Sequence, residues 1–489
     1  MQTLQLILLL VVFAVFVFLM FRRLLPALLA LPLLAFFIPL ISGVNVVDVL
    51  TLVLGNGATK LSEAYTIAIF GSMLSIMMQK TGVAESFIKT GAELSGDKPW
   101  AISMVMLMLI ILLFTTLGGL GAIIMVSTVV LPILSSVGVG AVTTTGIFLT
   151  GLSMGGILNV GNWAVYNQVL HIPKNEIQSF AFIMLGIMMV IATVYITVQL
   201  YRDGHDINFK KIFFYSLIIL IVGAGLIILW LNLPDSIVNE IDPALTVIPV
   251  VIKYTVALGI FLLIVLSLIR AFSSKNNGSV SFTAYFIPVI PLVLILVFEI
   301  NFIAAFIAGL AYGYLATYGK NSLNLLIRSV LDGGSVVMPA VVLMLGIGML
   351  LNAVMGPPKE LMVNYAEGWP VLLLLKPVLQ AIKPDTAVAY ILIFSLAAPL
   401  ALYRGPLNVW GMGYGIAAIL LAGGMPAGAI MGILMAVGQI QGISDPTNTQ
   451  NVWLANEMKI DVQKIMWNTL PYTWGAAVLG LLAAALVFY

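Results

Sequence analysis

The stretch Gln439-Ile440-Gln441-Gly442-Ile443-Ser444-Asp445-Pro446-Thr447-Asn448-Thr449-Gln450-Asn451 decides how this chain is read. It sits inside an otherwise apolar run, residues 427–457, long enough to cross a bilayer. Pro446 removes an amide donor and disfavours helical geometry at Asp445, while Gly442 lets the backbone leave the helix. A helix is expected to break here, at membrane depth. Non-helical backbone survives at that depth only inside protein or along a watery cavity.

The composition around that stretch makes lipid the solvent. Of 489 residues, 62% are hydrophobic and 8% are charged, against about 25% charged in a soluble domain. With 21 basic and 19 acidic side chains the net charge is +2, and no basic cluster suggests nucleic acid. Cysteine is absent and there are two histidines, so thiol chemistry and Cys- or His-ligated metal cages are excluded. The first run, 4–20, is followed rather than preceded by its arginines, Arg22 and Arg23, and is read as a retained span.

Apolar runs fall near 4–20, 25–42, 62–79, 101–136, 142–170, 178–200, 213–232, 247–270, 282–299, 302–318, 333–355, 385–422, 427–457 and 465–488. The runs 101–136 and 385–422 are too long for one span. They are interrupted by Thr115-Thr116-Leu117-Gly118-Gly119-Leu120-Gly121 and by Tyr403-Arg404-Gly405-Pro406-Leu407-Asn408. Each is read as a re-entrant hairpin. Cytoplasmic loops collect Lys and Arg, and placing Arg22 and Arg23 inside puts fourteen basic residues inside against six outside. The 233–245 loop, with Asp235, Glu240 and Asp242, then falls outside, and both termini face outward. The expected fold is an all-α polytopic membrane protein with about twelve transmembrane helices plus two re-entrant hairpins.

The pattern repeats in inverted topology. Residues 1–200 hold three spans, a cytoplasmic hairpin (101–136), a broken span (142–170) and a closing span (178–200). Residues 201–281 form a two-span linker. Residues 282–489 repeat the order, with an outer hairpin (385–422), a broken span (427–457) and a closing span (465–488). Discontinuous helices meeting at the midplane of such repeats are the architecture of many secondary transporters.

Four interruptions suggest one shared polar cavity: the two hairpin tips, the stretch 153–162 and the stretch 439–451. Of the charged residues, only Arg404 and Asp445 sit far from an expected membrane surface. A charge at the bilayer centre costs at least about 2.5–3.5 kcal/mol, which marks such residues as functional candidates. Arg404 offers a planar fork matching a carboxylate; it would clamp an acid, pair with Asp445 or tie hairpin carbonyls. Asp445 would carry a coupling proton, ligate Na⁺ (with Asn448 nearby) or neutralise Arg404. The candidate substrate-binding set is Arg404, Thr115, Thr116, Gly118, Gly119, Asn159, Asn162, Asn408, Ser444, Thr447, Asn448 and Thr449. No cofactor is expected beyond H⁺ or Na⁺ as coupling ion.

The arrangement resembles the ion transporter superfamily of secondary carriers, with Thr447-Asn448-Thr449 similar to its Ser/Asn/Thr motif and Thr115-Thr116-Leu117-Gly118-Gly119 departing from it. Ser444-Asp445-Pro446, followed by Trp453, is similar to the Asn-Asp-Pro segment of gluconate permeases, among the gluconate- and citrate-type proton symporters. The resemblance implies a homodimer with a scaffold part and a mobile transport part moving as an elevator. The expectation is therefore a proton-coupled carrier of a small organic anion, a carboxylate or sugar acid, in the inner membrane. The alternative is a Na⁺/H⁺ antiporter on the same scaffold.

Overall fold

The computed structural model describes residues 2–22, 24–207, 235–272, 280–319, 321–365, 367–375, 383–409 and 413–489. The described residues are helices and the turns that join them. Eight helices are long and apolar enough to cross a membrane, or up to ten if each of two bent pairs is one span. The protein is an all-α, multi-pass membrane protein. The expected span 213–232 lies outside the described residues, as does most of the linker's first half.

The chain opens with α1 (Gln2–Phe21) and α2 (Ala27–Ile41). Next comes a bent pair, α3 (Val46–Thr59) and α4 (Ser62–Lys80), angled by 40°. Sequence reading placed 46–59 in a loop. It is helical instead, with a π-helical stretch over Val49–Gly55. Lys60 lies in the elbow of this pair and donates to Asn352 Oδ1 at 2.9 Å. After α5 (Val83–Ser95), the first hairpin consists of α6 (Pro99–Phe114) and α7 (Gly119–Ser136). The first broken span is α8 (Ala141–Ile157) and α9 (Val160–Leu170), bent by 49° at Leu158 and Asn159. The closing helix is α10 (Lys174–Arg202).

In the linker, α11 (Asp235–Phe272) runs helical through the acidic stretch that sequence reading took for a loop. The second unit also differs at its start. Within residues 282–299 lie a 3₁₀ turn, Phe282–Phe286, and a short α12 (Val289–Leu296), separated at Pro288, which precedes the helix as its N-cap. Then follow α13 (Phe302–Ala316) and the long α14 (Ser322–Met355), which starts eleven residues before the expected span. The second hairpin is α15 (Ala387–Ala397), a 3₁₀ segment Ala398–Arg404, and α16 (Tyr414–Ala422). The second broken span is α17 (Ala427–Ser444) and α18 (Thr449–Glu457), and α19 (Val462–Phe488) closes the chain.

Burial ranks these elements. Within its apolar window, the span built from α17 and α18 is 83% buried, whereas Pro249–Phe272 of α11 is 6% buried. The polar, broken helix is at the centre and the uniformly apolar helix is at the edge. This is the order that lipid as solvent imposes.

Candidate functional site

Asp445 caps the C-terminus of α17 in extended geometry (φ −71°, ψ 112°), as a residue before proline must. Its carboxylate is fully buried and accepts from five donors. Oδ1 takes the Tyr403 amide at 3.0 Å, the Thr447 amide at 2.9 Å and Thr447 Oγ1 at 2.7 Å. Oδ2 takes the Arg404 amide at 3.4 Å and Asn408 Nδ2 at 3.2 Å. Every partner is a donor, the complement of an ionised carboxylate.

This clasp sets the shape of the second hairpin tip. Tyr403 (φ 55°, ψ 34°) and Arg404 (φ 56°) are both left-handed, which costs about 1–2 kcal/mol per non-glycine residue. Hydrogen bonds to a charged acceptor contribute about 1.5–3 kcal/mol each, so the amides held by Asp445 offset that strain. Gly405 continues the turn where a Cβ would run into the carbonyl oxygens of Leu400 and Leu402. The turn gives Asp445 the backbone of Arg404 and leaves its side chain for the cavity. No ion pair joins the Arg404 guanidinium to a carboxylate among the described residues. The alternative in which Arg404 pairs with Asp445 is therefore corrected: the carboxylate is sealed behind the tip, bound to the amides of Tyr403, Arg404 and Thr447 and to the side chains of Thr447 and Asn408. Both of its oxygens accept from N–H or O–H donors.

The first repeat is tied in the same sense with the polarity reversed. Asn159 accepts from the Gly161 amide at 2.9 Å, capping α9, and donates to the Phe114 carbonyl at the first hairpin tip at 3.3 Å. Each broken span thus holds the tip of its own hairpin. The two breaks meet where Ser153 Oγ donates to Gln439 Oε1 at 2.8 Å. A Cβ on Gly442 would lie 2.5 Å from Ser153 Oγ, so this approach of α8 to α17 requires glycine.

Between these parts lies a cavity of about 610 Å³. The first hairpin contributes Gly119, Leu120 and Ile123, and the first break contributes Ser153, Gly156, Asn162 and Tyr166. The second hairpin contributes Arg404, Val409 and Tyr414. From the second break come Gln439, Gln441, Gly442, Asn448, Thr449 and Gln450. One wall is α14, through Val336, Pro339 and Ala340. Arg404 is the one charged side chain among the described residues lining it.

Of the residues nominated from sequence, Gly119, Asn162, Arg404, Asn448 and Thr449 line this cavity. The others do not. Thr115 and Thr116 are buried and bond back to the carbonyls of Leu112 and Leu113. Gly118 caps α7 from outside the lining. Asn408 binds Ala401 O and Asp445, and Ser444 shares its hydroxyl with Thr469 and Thr473 of α19, at 2.8 Å each. Thr447 serves Asp445, and Asn159 serves the first hairpin tip. Sequence reasoning missed Tyr166, Tyr414 and the wall of α14. Pro339 inside an apolar run was the one available signal for that wall.

No family model matches the sequence, and no curated protein matches it. Solved structures do. The fold resembles that of the YdaH transporter of Alcanivorax borkumensis. The TM-score is 0.54 at 14% identity, over 90% of this chain and 88% of YdaH. MtrF of Neisseria gonorrhoeae, described as illuminating a class of antimetabolite efflux pumps, aligns with a TM-score of 0.46 at 12% identity, over 90% of this chain and 84% of its own. The likeness to YdaH is one of fold.

Proposed function

We propose that the protein is a secondary active transporter of a small organic anion, working by alternating access in the inner membrane. The observation that carries this reading is Arg404: the one charged residue among the described residues lining a cavity walled by both halves of the chain. A cation in such a place, unmatched by a described carboxylate, needs an anion to complete it. The YdaH fold supports the carrier reading, since that neighbour is a transporter. A homodimer with both termini outward belongs to the same proposal.

Proton coupling belongs to the proposal through Asp445. Protonating that carboxylate sets an O–H among four N–H donors and one hydroxyl and removes the charge that holds them, so proton uptake and loosening of the hairpin tip would be one event. The coupling ion would thereby act on the segment that presents Arg404. In proteoliposomes, Arg404→Ala is expected to abolish uptake of organic anions, losing about a hundredfold in affinity with the charge-assisted fork. Undiminished uptake by that variant overturns the reading. Asp445→Asn is expected to end accumulation driven by a pH gradient, and retention of that accumulation removes the proton role.

A further inference from the structure

We infer that the cavity selects anions carrying a single charge on an apolar body, and rejects di- and tricarboxylates and polyhydroxylated sugar acids. The inference rests on the proposed anion site and deepens it. One guanidinium matches one carboxylate, and no second cation is present among the described lining residues. A second carboxylate would be desolvated without a partner.

Five neutral polar side chains of the lining are already engaged. Ser153 Oγ is bound to Gln439 Oε1, Gln439 Nε2 to the Met435 carbonyl at 3.0 Å, and Gln441 Oε1 to the Val409 amide at 2.6 Å. Asn162 Nδ2 donates to the Gly156 carbonyl at 2.8 Å, and Asn448 Nδ2 to the Gln441 carbonyl. Each already serves the fold through at least one polar end. A ring of substrate hydroxyls would therefore compete with the bonds that hold the breaks together. Each unmatched hydroxyl is expected to weaken binding about tenfold. Most of the remaining surface is apolar: Leu152, Ile157, Leu434 and Met435 line the cavity from the two broken spans and Val336 and Pro339 from α14, beside the polar side chains of Tyr166, Thr449 and Gln450. Asp445, the acid that would repel a second negative charge if it faced the site, is sealed away. Selection therefore rests on the missing second cation and the apolar walls.

The test is a binding series on the purified full-length protein at neutral pH. Benzoate and cyclohexanecarboxylate serve as apolar monoanions, set against the polyanions succinate and citrate and the polyhydroxylated monoanion gluconate, for the wild type, Arg404→Ala and Leu152→Asn. The two apolar monoanions are expected to bind at least about tenfold tighter than the other three. Arg404→Ala is expected to erase binding of all probes, and Leu152→Asn to weaken benzoate about tenfold. With loss in Arg404→Ala, succinate or citrate binding as tightly as benzoate overturns the single-charge inference, gluconate doing so overturns the apolar-body inference, and either leaves the anion site standing. Unchanged binding by Arg404→Ala overturns the anion site itself. Absence of binding by any probe counts against both.

Discussion

Asp445 and Arg404 are the only two charged residues that the sequence places deep in the bilayer, and the structure gives them different work. The carboxylate closes the turn that carries the guanidinium, through the amides of Tyr403 and Arg404. This division was not legible in the sequence. Composition reveals that both charges are costly at that depth, but not that a carboxylate is matched by peptide N–H groups, because those belong to every residue. Asp445→Asn sets an NH₂ group against donors and is expected to destabilise the fold by about 2–4 kcal/mol. Thermal unfolding in detergent measures this, and an unchanged midpoint contradicts the clasp. Arg404→Lys, with its charge kept and its fork lost, should leave stability unchanged and weaken anion binding.

Among the elements, the breaks and hairpin tips were legible because glycine, proline and Asx residues interrupt apolar runs in only a few places. The regular helices were legible from length. Residues 46–59 were not, since Asn56, Gly57 and Lys60 read as a loop. The structure explains them by a close crossing: a Cβ on Gly348 of α14 would run into the Gly57 carbonyl, and one on Gly57 would lie 2.6 Å from Met349 Cα. Backbone contact of this kind is how helices pack where lipid removes the hydrophobic drive. Gly348→Val is therefore expected to reduce the monodisperse fraction on size-exclusion chromatography. Gly334→Val on the same helix, where a Cβ meets nothing within 4 Å, should leave it intact. Equal behaviour of the two variants contradicts the crossing.

At the scale of the whole molecule, order and spacing anticipated that interruptions from both halves would border one cavity, although only five of the nominated neutral and charged residues line it. The wall of α14 was hidden, because an apolar helix facing a cavity reads like one facing lipid. If the hairpins and broken spans move past that wall during transport, fixing them to it should stop the cycle. Gly121 and Val336 suit this test, since a Cβ on Gly121 would lie 4.0 Å from Val336 Cγ1 and the chain has no native cysteine. Oxidation of a Gly121→Cys, Val336→Cys pair is expected to arrest uptake, with reductant restoring it; uptake that continues when cross-linked contradicts motion at this wall. The claim beneath all of this is that the Arg404 side chain reaches water in the cavity while its backbone is held from behind. Labelling of a single Arg404→Cys variant in membranes by a charged, impermeant thiol reagent tests it most directly. Rapid labelling is the result this account predicts; a cysteine at 404 that stays unlabelled from both sides of the membrane contradicts it.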